Sequence, residues 1–252
     1  MKPIAILFAM QFIACCVLLT GADIAFATEN QCAVRSGPTI TPVIELYTSE
    51  GCSSCPPADR WASSLKGKSV VVQAFHVGYW DHIGWADRFA APAYTSRQRE
   101  VASRNKLRSI YTPQAVLDGR DWPKWAGQPG SQESAQASIT LKQLASNQFE
   151  ASVLAVGNLQ PPPLWSAYWT ITEHGHQSKV AVGENAGKLL KHDFVVRQYT
   201  PAGEYTSAAA TPQKLTFRSI AATPGYPRQV NLVVFESKSG KTLQAVSLQC
   251  AL

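Results

Sequence analysis

Apolar and polar positions change their period along the chain. From Val43 to Thr48 the run "VIELYT" alternates and is rich in β-formers, which predicts a strand. "PPADRWASSL" follows and predicts a helix, because proline suits a first turn whose N–H groups have no intrahelical partner. "SVVVQAFHV" is a continuous apolar run, the mark of a strand buried on both faces. "APAYTSRQREVASRNKL" sets Tyr94, Val101 and Leu107 among charges and predicts an amphipathic helix. "YTPQAVLDG" predicts a strand that Pro113 introduces and Asp118-Gly119 ends, and "SQESAQASITLKQLASN" predicts a further, polar-faced helix. The order β-α-β-α-β-(β)-α predicts an α/β sheet with helices on its faces. Past Asn147 the pattern becomes short strand-like runs separated by turn residues, which predicts an all-β, sandwich-like region. The expected organisation is an α/β domain over 28–147 and a β-sandwich-like domain over 148–252.

The amino terminus departs from both patterns. Lys2 precedes the apolar run "PIAILFAMQFIACCVLLTG", and Ala25-Phe26-Ala27 has the small-x-small form of a cleavage site. Together these predict a signal peptide over 1–27, cleaved before Thr28, and an exported protein, periplasmic or secreted. An uncleaved anchor is the rival, but the run is barely long enough to span a bilayer and lacks a basic stop-transfer flank. A lipid on Cys15 or Cys16 fits less well, since the apolar run continues past both.

Composition narrows the function classes. The 252 residues are 45% hydrophobic, and 23 Lys+Arg against 17 Asp+Glu give a formal charge of +6. No basic block of five or more residues occurs, so nothing marks a nucleic-acid partner. Removing the signal leaves Cys32, Cys52, Cys55 and Cys250, which would meet an oxidising compartment. With Cys52 and Cys55 as a close pair, Cys32 and Cys250 are expected to bond and tie the mature chain's ends together. The alternative is two free thiols in the tails.

The chemistry is concentrated in "ELYTSEGCSSCPPAD". A Cys-x-x-Cys after a strand and at the opening of a helix places the first sulfur near unpaired backbone N–H groups, which favours the thiolate. Cys52 is then the exposed attacking sulfur, and Cys55, one turn further in, the shielded one that resolves a mixed disulfide. Zinc sites also use Cys-x-x-Cys, but normally with a second such pair or paired histidines, which this chain lacks.

With Thr112-Pro113 before a later strand and Asp118-Gly119 at its end, the arrangement resembles the thioredoxin-like superfamily. That resemblance implies a thioredoxin-like fold for the first domain, a cis Thr112–Pro113 bond facing the cysteines, and a substrate cleft shaped by Thr112 and Pro113. It also implies a buried acid on the first strand serving the inner cysteine, a part that falls to Glu45. The segments "ELYTSEGCSSCPPAD", "FHVGYWDHIGWADRFAAPAYTSRQR", "YTPQAVLDGR" and "GENAGKLLKHDFVVR" are similar to a secreted bacterial family with this fold, domain-of-unknown-function family 1223. Gly78 stands where that family commonly has Asp.

Other polar positions have plainer expectations. Glu50 is expected in solvent, where its charge would oppose a thiolate on Cys52. Tyr79, Trp80 and Trp85 are expected to form a local core or a wall beside the site. His76 and Asp81 are candidate proton partners, and Cys52, Cys55 and His76 form the weak candidate metal set, suited to Cu(I). Arg97, Gln98 and Arg99 are expected on a solvated helix face. Glu173, His174 and His176 are a weak metal clip. Asn185 to Gly187 read as a turn, with His192 and Arg197 facing the first domain.

Three functions compete. One is a cell-envelope thiol–disulfide oxidoreductase acting on a protein or small-molecule thiol or disulfide. The others are a non-catalytic binding module with a permanent Cys52–Cys55 bond and a copper-handling protein. The first two need no cofactor, none needs nucleic acid, and no membrane span remains after signal cleavage. Redox direction and oligomeric state are not written in the sequence.

Overall fold

The computed structural model describes residues 32–125, 127, 129–155, 164–206 and 211–250. The expected signal peptide, 1–27, lies outside them. In chain order the elements are β1 (Ala33–Arg35), β2 (Val43–Thr48), α1 (Pro56–Ser63), β3 (Val71–His76), a 3-10 helix (Gly78–Ile83) and α2 (Pro92–Arg104). Then come β4 (Gln114–Leu117), β5 (Arg120–Asp121), β6 (Ala137–Ala145), β7 (Gln148–Ala155), β8 (Leu164–Glu173), β9 (His176–Lys179) and β10 (Leu189–His192). The last are β11 (Val195–Thr206), β12 (Gln213–Arg218), β13 (Arg228–Glu236) and β14 (Thr242–Leu248). No helix among the described residues is long and apolar enough to cross a membrane.

An eight-stranded mixed sheet, ordered β14-β13-β8-β11-β3-β2-β4-β5, runs through the molecule. β2 and β3 are parallel, β11 joins β3 in parallel, and the remaining pairs are antiparallel. A four-stranded sheet, β1-β6-β7-β12, packs on one end of it. β9 and β10 form a separate two-stranded sheet.

The expected fold class, a thioredoxin-like α/β domain followed by a β-sandwich-like domain, is overturned. Strands make up 45% of the described residues and helix only 13%, and strands from both halves share the large sheet. The segment expected as a third helix is β6, which pairs with β1 and β7. Its Ser and Gln content suits a helix surface, but Ala137, Ile139 and Leu141 are buried at every second position, the period of a strand. Residues 146 and 147 lie in the turn of the β6–β7 hairpin.

Strand parity decides what each face meets. Leu46 pairs with Ala74, Ala74 with Val195 and Val195 with Glu173, so these four point the same way. That face carries α1, whose Ala58 and Ala62 pack on Ile44, Leu46 and Val72. Further along β8 the same face meets the four-stranded sheet, where Trp169 stacks on Phe217 with centroids 5.0 Å apart. The other face holds Glu45, Tyr47, Phe75 and Tyr168 beneath α2. Thr48 and His76, paired at the carboxyl ends of β2 and β3, therefore lie on the α1 side.

Candidate functional site

β2 ends at Thr48, and the chain turns through residues 49–54 into α1. Gly51 is required at this corner: a Cβ there would stand 2.8 Å from Trp80 Cβ. Cys55 caps α1, its carbonyl accepting from the amides of Ala58 and Asp59, and Pro56 and Pro57 fill the first turn. The helix thus begins after the cysteine pair, and Cys52 lies in the preceding turn instead of opening the helix. Cys52 and Cys55 are bonded to each other, and Cys32 is bonded to Cys250.

The expected asymmetry between an exposed Cys52 and a shielded Cys55 is absent. Both are 0% exposed, while Ser53 and Ser54 between them are open to solvent. Cover comes from two directions. Trp80, in the 3-10 helix, packs on Gly51 and donates its indole N–H to Thr112 Oγ1 at 2.8 Å. On another side the turn between β9 and β10 approaches: Asn185 Nδ2 donates to the carbonyls of Glu50 (2.8 Å) and Cys52 (3.0 Å). Glu184 Oε2 accepts the Ser53 amide at 3.0 Å.

Beside the pair lies a buried cluster of acids and histidines. His76 Nδ1 meets Asp87 Oδ2 at 2.7 Å, and the same oxygen accepts the Glu50 amide. Glu50 is fully buried, not solvated, and its Oε2 accepts the Trp85 indole N–H at 2.7 Å. His192 stands 3.3 Å from Glu50 Oε1 and 3.8 Å from Asp59 Oδ2. His76 Nε2 and both ring nitrogens of His192 make no hydrogen bond within the described chain. Burial pushes Asp59 up, against the pull of His192 and His76. Burial also opposes charge on Glu50, but His192 and Trp85 hold its carboxyl below the ordinary value. His76 would be lowered by burial, yet the Asp87 charge and hydrogen bond carry it above its usual value.

Glu45 is placed elsewhere. It lies on the α2 face, opposite α1, where Arg97 binds it through Nε at 3.2 Å and Nη2 at 2.7 Å and Tyr168 donates at 3.0 Å. Tyr47 also donates to it. Burial favours its neutral form, but Arg97 outweighs that and lowers its pKa. Arg97 and Gln98 are accordingly buried, against the solvated face expected for them, and only Arg99 is exposed. The acid on the α1 side is Asp59, four residues beyond Cys55 and so on the same helical face.

The Thr112–Pro113 bond is cis, and its link to the cysteine loop runs through Trp80. Tyr79 and Trp85 are half-buried beside Trp80. A side chain at Gly78 would meet Asp81 Oδ2 at 3.2 Å, so an Asp there would face a second carboxylate. Glu173 and His176 pair at 2.9 Å, with Arg197 on the same carboxylate, while His174 lies 3.7 Å from Asp193. That arrangement is an ion-paired cluster and not the metal clip considered above. Among the described residues no three His, Cys, Asp or Glu side chains converge as metal ligands.

Asp59, Asp87, Glu184 and Asn185 were not singled out for the site from the sequence. Asp59 carried a usable signal, its helical spacing from Cys55. Glu184 and Asn185 reach the loop from more than a hundred positions away, and no local pattern announces such a contact.

No curated protein matches the chain. Two solved structures share its fold. A crystal structure of a protein from Agrobacterium tumefaciens is 21% identical, with a TM-score of 0.61 over 86% of this chain and 99% of its own. HBP35 of Porphyromonas gingivalis is 12% identical, with a TM-score of 0.53 over 84% of this chain and 76% of its own. The family described as "Protein of unknown function (DUF1223)" matches residues 43–235, and the chain belongs to it.

Proposed function

We propose that the protein is a thiol–disulfide exchange enzyme of the cell envelope, with Cys52 and Cys55 as its redox pair. The observation that carries this reading is the bonded pair at a strand-to-helix corner beside the buried Asp59 and two buried histidines. A substrate thiolate attacks Cys52 Sγ, a mixed disulfide forms, and the Cys52–Cys55 bond breaks with Cys55 leaving as thiolate. Asp59, whose pKa burial raises and which follows Cys55 by one helical turn, supplies the proton that Cys55 takes up. A second substrate thiolate then attacks the substrate sulfur of the mixed disulfide, and Cys52 leaves. The substrate is oxidised by two electrons, the pair is reduced, and every step runs in reverse for a reductase. Thr112 and Pro113, linked to the loop through Trp80, shape the approach to the pair.

The test is covalent trapping. Cys55→Ala cannot resolve a mixed disulfide on Cys52, so the variant is expected to retain cysteine-bearing proteins that Cys52→Ser/Cys55→Ala does not. Exchange activity unchanged in Cys52→Ser ends this reading.

The complete burial of both sulfurs favours a second reading, a binding module with a permanent disulfide. Equilibration with glutathione buffers separates the two: a pair that opens only below the potential those buffers reach is structural.

A further inference from the structure

The hairpin that covers the cysteine loop is anchored at its base, where His192 packs on His76 and His176 on Phe89 and Tyr226, and meets the loop's backbone through its tip. β9 and β10 pair only with each other, in a sheet separate from the two larger ones. The excursion starts and ends at one point, since Glu173 at the end of β8 pairs directly with Val195 at the start of β11. Lifting the tip, 183–187, therefore breaks no ladder of the large sheet and leaves the buried His176 and His192 in place. What holds its tip to the loop is side-chain hydrogen bonding: one Asn185 amide group on two carbonyls and one Glu184 carboxylate on an amide.

Those contacts satisfy three backbone groups of the cysteine loop: Glu50 O, Cys52 O and Ser53 N. Of the three, the Glu50 carbonyl belongs to a fully buried residue and has no other backbone donor, so it needs a partner in any state that stays dry. With Cys52 and Cys55 both 0% exposed, no thiol reaches either sulfur while Trp80 and the tip are both in place. Once the tip lifts, a small thiol leaves the Glu50 carbonyl without a donor, while Cys52 O keeps the Cys55 amide and the Ser53 amide faces solvent. An extended polypeptide carries its own N–H and C=O groups and replaces the contacts made by Asn185 and Glu184.

We propose that the tip of the β9–β10 hairpin is a displaceable plug on the backbone edge where a cysteine-bearing polypeptide docks. This rests on the exchange reading above and names its substrate class: an extended protein segment, not a small thiol. The attacking thiolate comes from that segment, and the electron balance is the one already given.

Two measurements test it. The first needs no exchange activity. In the oxidised full chain, reduction of Cys52–Cys55 by a water-soluble phosphine is followed by alkylation and peptide mass. Asn185→Ala is expected to react about tenfold faster than the parent, two hydrogen bonds having gone. The exposed Glu184→Gln is expected to react a few-fold faster, and guards against misfolding of the buried variant. Equal rates in all three proteins overturn the plug. The second loads Cys52 of Cys55→Ala with a ten-residue peptide from its thionitrobenzoate disulfide, or with mercaptoethanol as the small counterpart. Hydrogen exchange is expected to show residues 183–187 deprotected in both adducts and the Ser53 amide protected only in the peptide adduct. A tip that stays protected, or a Ser53 amide that exchanges equally in both, overturns the polypeptide occupant. Fast phosphine reduction with no peptide adduct removes the occupant and the exchange reading together.

Discussion

Two buried acids on opposite faces of the sheet, Glu45 and Asp59, are set to different tasks by their surroundings. Glu45 is held charged by Arg97 on the far face of the sheet, whereas Asp59, with its pKa raised by burial, lies on the helix face of Cys55. Asp59→Asn is expected to slow exchange on the order of a hundredfold, the scale of a lost general acid. Glu45→Gln is expected to leave the rate unchanged and to cost about 3–5 kcal/mol of stability, because it strands a buried guanidinium. Exchange kinetics and urea unfolding on the same two variants check both halves. His76 sets the pH dependence. Its folded pKa lies above the ordinary 6.5, so its stabilising contribution is complete below pH 6.5 and is lost as pH rises through the folded value. Asp59, also raised, acts in the same sense, while Asp87, lowered, loses its contribution only on acidification below its ordinary 3.8. The melting temperature is expected to fall on the alkaline side, and to fall less in His76→Asn. A profile identical in the two proteins contradicts this.

The elements around the corner were legible wherever residue type and period agreed. The β-former run at Val43, the prolines that open α1 and α2, and the apolar run into His76 each specify one local conformation. β6 was not legible because its composition and its period disagree: the polar residues between Ala137, Ile139 and Leu141 suit a helix, and burial at alternate positions settles the conflict in tertiary structure. Ile139→Ala is expected to cost about 2–5 kcal/mol by opening a cavity between the two sheets, read as a lower denaturation midpoint at unchanged slope. A cost below half a kilocalorie would mean that Ile139 faces solvent. The hairpin shows the complementary limit. Its strands and turn are readable locally, but its seat on a loop more than a hundred residues earlier is a tertiary property. The burial of Cys52 and Glu50 stayed hidden for the same reason.

At the scale of the molecule, the Cys32–Cys250 bond closes nearly the whole described chain, with 218 residues of separation. Loops of that length lose the most unfolded-state freedom on cross-linking, although measured gains fall short of the simple entropy model. Cys32→Ala/Cys250→Ala is expected to lose about 2–5 kcal/mol, measured by urea unfolding, and to keep its trapping behaviour. Unfolding at the parent's midpoint would show that the closure constrains nothing.

The continuity of the large sheet has a consequence for how the protein is made. β3 is flanked by β2 on one side and by β11 on the other, and β11 comes only after β8 and the hairpin. A ribosome that has delivered β2, α1, β3 and α2 has delivered a β-strand with one bare hydrogen-bonding edge. That edge can recruit strands from neighbouring nascent chains. The cysteine corner is therefore complete in sequence long before it is safe in structure, and this protein's most vulnerable moment is the interval of synthesis between His76 and Val195.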